Sequence, residues 1–295
     1  MGYYSRYLFI IYVILLAGYA TFKNISNLRL GEKQVNYEEP KQKCVEKEDW
    51  SYCVYTSSNN SRDLIYHLHG KGEDEKAWVN KNRFGTLLQQ YWQDQKRIYP
   101  TVVSISFGRT WIITPKMSKP ATGLLERFKE EVFKTIEADI GKPRRRYLLG
   151  SSMGALNAMT LAVPFTKQFS KVALLCPPIY DLSPYDSWEK MYDHILLSGA
   201  KLKTAYIAYA FGRKYFSSDE EWQKFAPLSN FKANTLSRRQ QFYITASLRD
   251  SFGVYDGAVK LKNILQEKGQ RVYWRPISGG HCSVDVTSLG DFLAN

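Results

Sequence analysis

Ser152 lies in Gly150-Ser151-Ser152-Met153-Gly154, a G-x-S-x-G run with a short apolar strand before it (Arg146 to Leu149) and a small-residue helix after it (Met153 to Val163, stopped by Pro164). A serine hydroxyl becomes a nucleophile only where it stands clear of the backbone and a base can reach it. Glycines at 150 and 154 leave room for a sharp turn and for close packing of helix on strand. The helix beginning at Met153 would aim its first main-chain N–H at an oxyanion. The base has to come from further along the chain. His281, in Gly279-Gly280-His281, follows a late strand, and Asp250 follows an earlier one, 31 residues before it, in the order Ser, acid, His that such an elbow requires. Asp256 is the rival acid, but it opens a helix, where a carboxylate has an ordinary role in the first turn. His69-Gly70-Lys71-Gly72 ends an early strand, and the main-chain N–H of Lys71 is the second candidate donor to the oxyanion. Trp111, on a loop at the same edge, and His69 are candidates for contact with substrate. His67 and His69 are two apart on a strand, yet Glu73, Asp74 and Glu75 do not supply a metal-ligand spacing, so no metal or other cofactor is expected. His194, on a helical pattern, reads as packing or surface.

Positioning these groups takes a sheet whose strands all end at one edge. Residues 62–69, 101–106, 146–149, 171–175, 241–246 and 270–277 read as strands. Helical patterns occupy 84–91, 123–140, 153–163, 256–268 and 288 onward. The helix over 123–140 is the clearest, with Leu124, Leu125, Phe128, Val132, Phe133, Ile136 and Ile140 on one face. Strands alternating with helices imply an α/β fold with a mainly parallel twisted sheet and helices on both faces. Ligands then bind at the carboxyl ends of the strands. Residues 179–240 break the alternation with about sixty residues rich in Tyr, Trp and Phe, carrying weaker helical patterns at 188–197, 200–211 and 219–225. This insertion, before the acid-bearing strand, is expected to form a lid or substrate wall. Residues 44–56 alternate around Glu46-Lys47-Glu48-Asp49 as an antiparallel hairpin at the sheet edge, so 44–295 reads as one domain.

The chain has 295 residues, 44% of them hydrophobic and 15% aromatic, enough to bury a substantial core. Its net charge of +13 suits an acidic polymer or an anionic surface as the place of work. Nucleic acid is not expected, because the only dense basic cluster, Lys142-Pro143-Arg144-Arg145-Arg146, leads into the strand before the elbow with no nucleic-acid-binding motif beside it and reads as a solvated connection. Residues 1–22 carry an apolar run from Tyr7 to Ala20 that matches a signal-peptide core. The alternative is an uncleaved anchor that would hold the chain at a membrane or envelope through residues 7–20. Residues 23–43 read as a polar linker. Export makes a Cys44–Cys53 disulfide the favoured pairing; a second bridge between Cys176 and Cys282 is the less favoured one.

The pieces YHLHGKGEDEKAW (66–78), YLLGSSMGA (147–155), FAPLSNF (225–231), YITASLRDSFGVYDGAVKLKNIL (243–265) and GGH (279–281) together resemble the α/β-hydrolase superfamily. Within it the chain is most similar to the esterase D branch, which includes feruloyl and acetyl esterases, S-formylglutathione hydrolases and mycolyl transferases. Ala155 departs from relatives that carry a second glycine there, and residues 1–55 lie outside the resemblance. The resemblance implies a small or polymer-linked carboxylic ester as substrate, opened through an acyl-enzyme by Ser152, His281 and Asp250, with Met153 and Lys71 as oxyanion donors. Two other functions stay open: acyl transfer to a sugar or other alcohol, and a non-catalytic envelope-attached binding protein on the same scaffold.

Overall fold

The computed structural model describes residues 39–56, 61–79 and 84–294. The signal-peptide or anchor segment, residues 1–22, and most of the linker lie outside them. Glu39–Asn295 forms one compact unit. Its frame is an eight-stranded sheet: β1 (Lys41–Glu46), β2 (Ser51–Thr56), β3 (Asp63–Leu68), β4 (Thr101–Ser106), β5 (Arg145–Ser151), β6 (Phe169–Leu175), β7 (Gln241–Ser247) and β8 (Arg271–Ile277). The spatial order is β1-β2-β4-β3-β5-β6-β7-β8, antiparallel from β1 to β4 and parallel from there on. The mainly parallel sheet is the one expected from the alternation of strands and helices, and the architecture is the α/β-hydrolase fold that the resemblance implied.

The expected hairpin is present and starts earlier than its sequence pattern suggested. Lys41 already pairs with Thr56, so residues 41–43 belong to β1 rather than to the linker. Cys44 and Cys53 are cross-strand partners and are disulfide-bonded.

The central strands read as unbroken apolar runs because both faces are covered. In β5, Leu148 faces one core with Tyr66, Phe128 and Phe133, while Tyr147 and Leu149 face the other with Trp78, Trp92 and Tyr99. The first core is closed by α2, which begins as Leu124–Arg127, passes through a π-helical turn at Phe128–Val132 and continues as Phe133–Ile140, and by α3 (Met153–Ala162). The π turn interrupts the continuous helix expected there, yet Phe128, Val132 and Ile136 all remain buried. The second core is closed by α1 (Phe84–Asp94) and α9 (Val286–Ala294).

The insertion forms four helices: α4 (Trp188–Ser198), α5 (Leu202–Tyr215), α6 (Asp219–Phe225) and α7 (Pro227–Ala233). Ser187 and Ser218 cap α4 and α6 through their side chains, and Pro227 opens α7 at a position whose N–H has no helical partner anyway. The helix α8 (Tyr255–Glu267) follows β7.

The basic cluster leads into β5 as the exposed connection expected from its composition, with Lys142 and Arg144 open to solvent, but its arginines are also paired. Asp63, 5% exposed, is clamped between Arg144 (3.1 Å) and Arg145 (2.5 Å), and Arg146 pairs with Glu137 at 2.5 Å. A buried carboxylate at the start of β3 needs such partners, and the arginines supply them.

Candidate active site

The turn between β5 and α3 is tight because its glycines permit it. A Cβ on Gly150 would fall 2.1 Å from the Gly154 carbonyl oxygen, and one on Gly154 would fall 1.8 Å from that of Leu68. Between them Ser152 is held at φ 52°, ψ −117°, a backbone conformation that non-glycine residues rarely adopt. Its N–H donates to the Leu175 carbonyl, which fixes the turn against β6. The hydroxyl is thereby lifted off the sheet edge.

Three distant residues meet there. The Ser152 hydroxyl oxygen is 2.9 Å from Nε2 of His281, and Nδ1 of His281 is 2.9 and 2.8 Å from the two carboxylate oxygens of Asp250. Asp250 is 3% exposed, and one of its oxygens also accepts the Phe252 N–H, so its orientation is fixed from two sides. The Phe252 ring packs 4.5 Å from the His281 ring. The rival Asp256 is exposed in the first turn of α8, away from this group. His194 packs its ring against the edge of Tyr180.

The loop carrying His281 is held by two further links. The Ser247 hydroxyl donates to the Gly279 carbonyl, and Cys282 is disulfide-bonded to Cys176. The less favoured pairing of the sequence reading is therefore present. Cys176, His281 and Cys282 lie close together, but the two sulfurs are bonded to each other and both imidazole nitrogens already have partners.

A cavity of about 570 Å³ opens over Ser152. Met153 and Lys71, the two expected oxyanion donors, both line it. On one side it is walled by Ile112, Leu156 and residues from the insertion, among them Ile207, Ala208, Phe211 and Trp222; on the other it runs past Ala77, Phe84 and Val286. The insertion is also tied to the acid loop, since the Lys201 N–H and the Thr204 hydroxyl both donate to the Ser251 carbonyl.

Trp111 and His69 are not where contact with substrate would put them. They are 3% and 0% exposed and bond to each other, Trp111 Nε1–H donating to His69 Nε2 at 3.1 Å. His69 Nδ1 lies 2.8 Å from the Gly70 carbonyl, so the pair shapes the turn that presents Lys71. That correction has a simple cause: spacing along a chain places a residue near an edge without saying which way it faces. Burial lowers the pKa of His67 on β3, to about 3, and that of His69 just beyond it, so neither carries charge at neutral pH.

Sequence reasoning missed Asn157, in the second turn of α3. Its side chain accepts the Ile113 N–H at 2.8 Å and donates to the Trp111 carbonyl, fastening the 111–113 loop beside the cavity. A buried asparagine in an otherwise apolar helix was the available signal.

The profile of the family described as "Putative esterase" matches residues 47–285. The chain belongs to this esterase family. Among solved structures the esterase is similar to a ferulic acid esterase (13% identity, 86% of this chain and 95% of that one, TM-score 0.59). It is also similar to EstE1, a thermostable carboxylesterase from a metagenomic library (15% identity, 88% and 91%, TM-score 0.62). A third is brefeldin A esterase, a bacterial homologue of human hormone-sensitive lipase (15%, 89% and 78%, TM-score 0.58). At such identities the likeness is one of fold. No curated protein matches the sequence.

Proposed function

We propose that this esterase is a serine carboxylic-ester hydrolase acting through an acyl-enzyme. Ser152 attacks the ester carbonyl as His281 Nε2 takes the hydroxyl proton, and collapse of the tetrahedral intermediate returns that proton to the leaving alcohol. Water, activated by the same nitrogen, then releases the acid and restores Ser152. Asp250 keeps the Nδ1 proton on His281 and stabilises the imidazolium, while the main-chain N–H groups of Met153 and Lys71 bind the oxyanion.

The observation that carries this reading is the unbroken hydrogen-bonded line Asp250–His281–Ser152 at the floor of a mostly apolar cavity. Two disulfides suit an oxidising compartment, and export remains the proposed location.

The test is turnover of p-nitrophenyl acetate, butyrate and octanoate by the chain and by Ser152→Ala and Asp250→Asn, with fluorophosphonate labelling. Turnover and labelling lost in Ser152→Ala, with Asp250→Asn slower by about a thousandfold or more, is the expected result. Labelling at another serine, or wild-type rates in Ser152→Ala, would overturn it.

A further inference from the structure

The helices α4 and α5 look in two directions. Inward, Ile207, Ala208 and Phe211 wall the cavity. Outward, Trp188, Tyr192 and Leu196, spaced by four on α4, and Leu202 and Tyr206, spaced by four on α5, are each 57–67% exposed. The two stripes join through Tyr209, whose ring lies 5.5 Å from Trp188 and 6.5 Å from Tyr206. Large apolar side chains scattered singly over a surface need no explanation, but a contiguous set on one face does.

Charge says what that face meets. From Gly199 to Phe216 the chain carries Lys201, Lys203, Arg213 and Lys214 and no acidic residue. On α5 the helical spacing puts Lys201 on one flank of the apolar stripe and Lys203 and Lys214 on the other. Glu189 and Asp193 lie beside the stripe on α4 only. A second copy docking about a two-fold axis sets Glu189 and Asp193 of α4 against the lysines of α5 but leaves the face's surplus of positive charge unmatched. Tryptophan and tyrosine beside lysine on an amphipathic helix is instead the chemistry of a lipid headgroup layer.

We propose that this face docks on an anionic lipid bilayer. Trp188, Tyr192, Leu196, Leu202 and Tyr206 enter the headgroup region, and Lys201, Lys203 and Lys214 meet lipid phosphates. If the esterase reading above holds, its cavity wall then stands at the membrane surface, and the substrates are esters with an acyl chain drawn from that layer. Docking itself does not depend on the chemistry of Ser152.

Trp188 is the natural reporter, being the one exposed tryptophan of seven. The full chain is mixed with phosphatidylcholine vesicles, with and without phosphatidylglycerol, carrying brominated acyl chains. Quenching on the anionic vesicles that disappears in Trp188→Phe is expected. Leu202→Ser with Tyr206→Ser abolishes it, and Lys201→Gln and Lys203→Gln each weaken partition about fivefold. None of these positions lines the cavity, so kcat/KM on soluble p-nitrophenyl acetate stays at the wild-type value and reports an intact fold. Absence of Trp188-dependent quenching, even where the chain is retained on the vesicle through residues 7–20, would overturn the proposal. So would a lipid-free dimer that dissociates on Leu202→Ser. Quenching without turnover of any ester would sink the hydrolase reading and leave the docking face standing.

Discussion

Cys282, the neighbour of His281, is bridged to Cys176, the first residue beyond β6. The bridge closes a span of 106 residues and anchors the histidine loop to the strand beside the elbow, whereas Cys44–Cys53 closes a span of 9 between strands already in register. Loop-closure entropy makes the longer bridge worth about 2 kcal/mol more than the shorter one. Urea unfolding of Cys176→Ala/Cys282→Ala against Cys44→Ala/Cys53→Ala measures that difference. Ester turnover should fall only in the first pair, because only there is His281 released.

Lys71 is expected to serve the oxyanion through its main chain alone. Lys71→Ala then keeps wild-type turnover, while Lys71→Pro, which removes the N–H, loses about a hundredfold to a thousandfold in kcat. Equal losses in the two variants, with unchanged urea midpoints, would assign the role to the side chain instead.

Burial alone would raise the pKa of the Asp63 carboxyl, but the Arg144 and Arg145 guanidinium groups outweigh it and hold it at about 2, below the ordinary 3.8. Asp63 therefore binds its proton more weakly in the folded chain than in the unfolded one. It stabilises the fold above its ordinary value, and that contribution drains away as pH falls through about 4 toward 2. Asp63→Asn should cost about 2 kcal/mol at neutral pH. Chemical denaturation across the acid range should show the gap between wild type and variant closing between about pH 4 and pH 2.

A methyl group at 154 has nowhere to go, because the atoms it would strike are the backbone carbonyls of Leu68 and His69, at 1.8 and 2.8 Å. Gly154→Ala should therefore cost about 3 kcal/mol and displace the Lys71 turn along with β3. Ala155→Gly, one residue on, should cost about 2 kcal/mol, the helix penalty for glycine plus the loss of one buried methyl. Thermal melts of the two variants separate a steric requirement at 154 from a general sensitivity of the helix.

Much of this architecture was legible because its determinants are local. The elbow needs glycine at two positions four residues apart, and the strands that carry Asp250 and His281 announce themselves as apolar runs ended by turn residues. What stayed hidden depends on direction or on distance. His69 and Trp111 sit near the right edge but turn inward to each other, and alternation along β3 does not say which face the cavity lies on. Cys176 and Cys282 are brought together only by the neighbouring positions of β6, β7 and β8 in the sheet. The π turn inside α2 leaves the apolar stripe intact and so has no signature in periodicity. The ion pairs of Arg144 and Arg145 depend on a carboxylate some eighty residues earlier, so composition alone did not show them.

The cavity wall supplied by α5 should decide which acyl chains are accepted. Ala208 and Gly212 are the small residues in that wall, and Ala208 sits between Ile207 and Phe211, with Trp222 and Leu156 also lining the space. Replacing its methyl by a phenyl ring fills part of the cavity without touching Ser152, His281 or Asp250. Ala208→Phe should then leave kcat/KM for p-nitrophenyl acetate within about threefold of wild type and lower it for the octanoate at least tenfold, since several buried methylenes lose their place. The reverse pattern, acetate impaired and octanoate spared, would mean that the acyl chain lies on the Phe84 and Val286 side and that the alcohol faces the insertion.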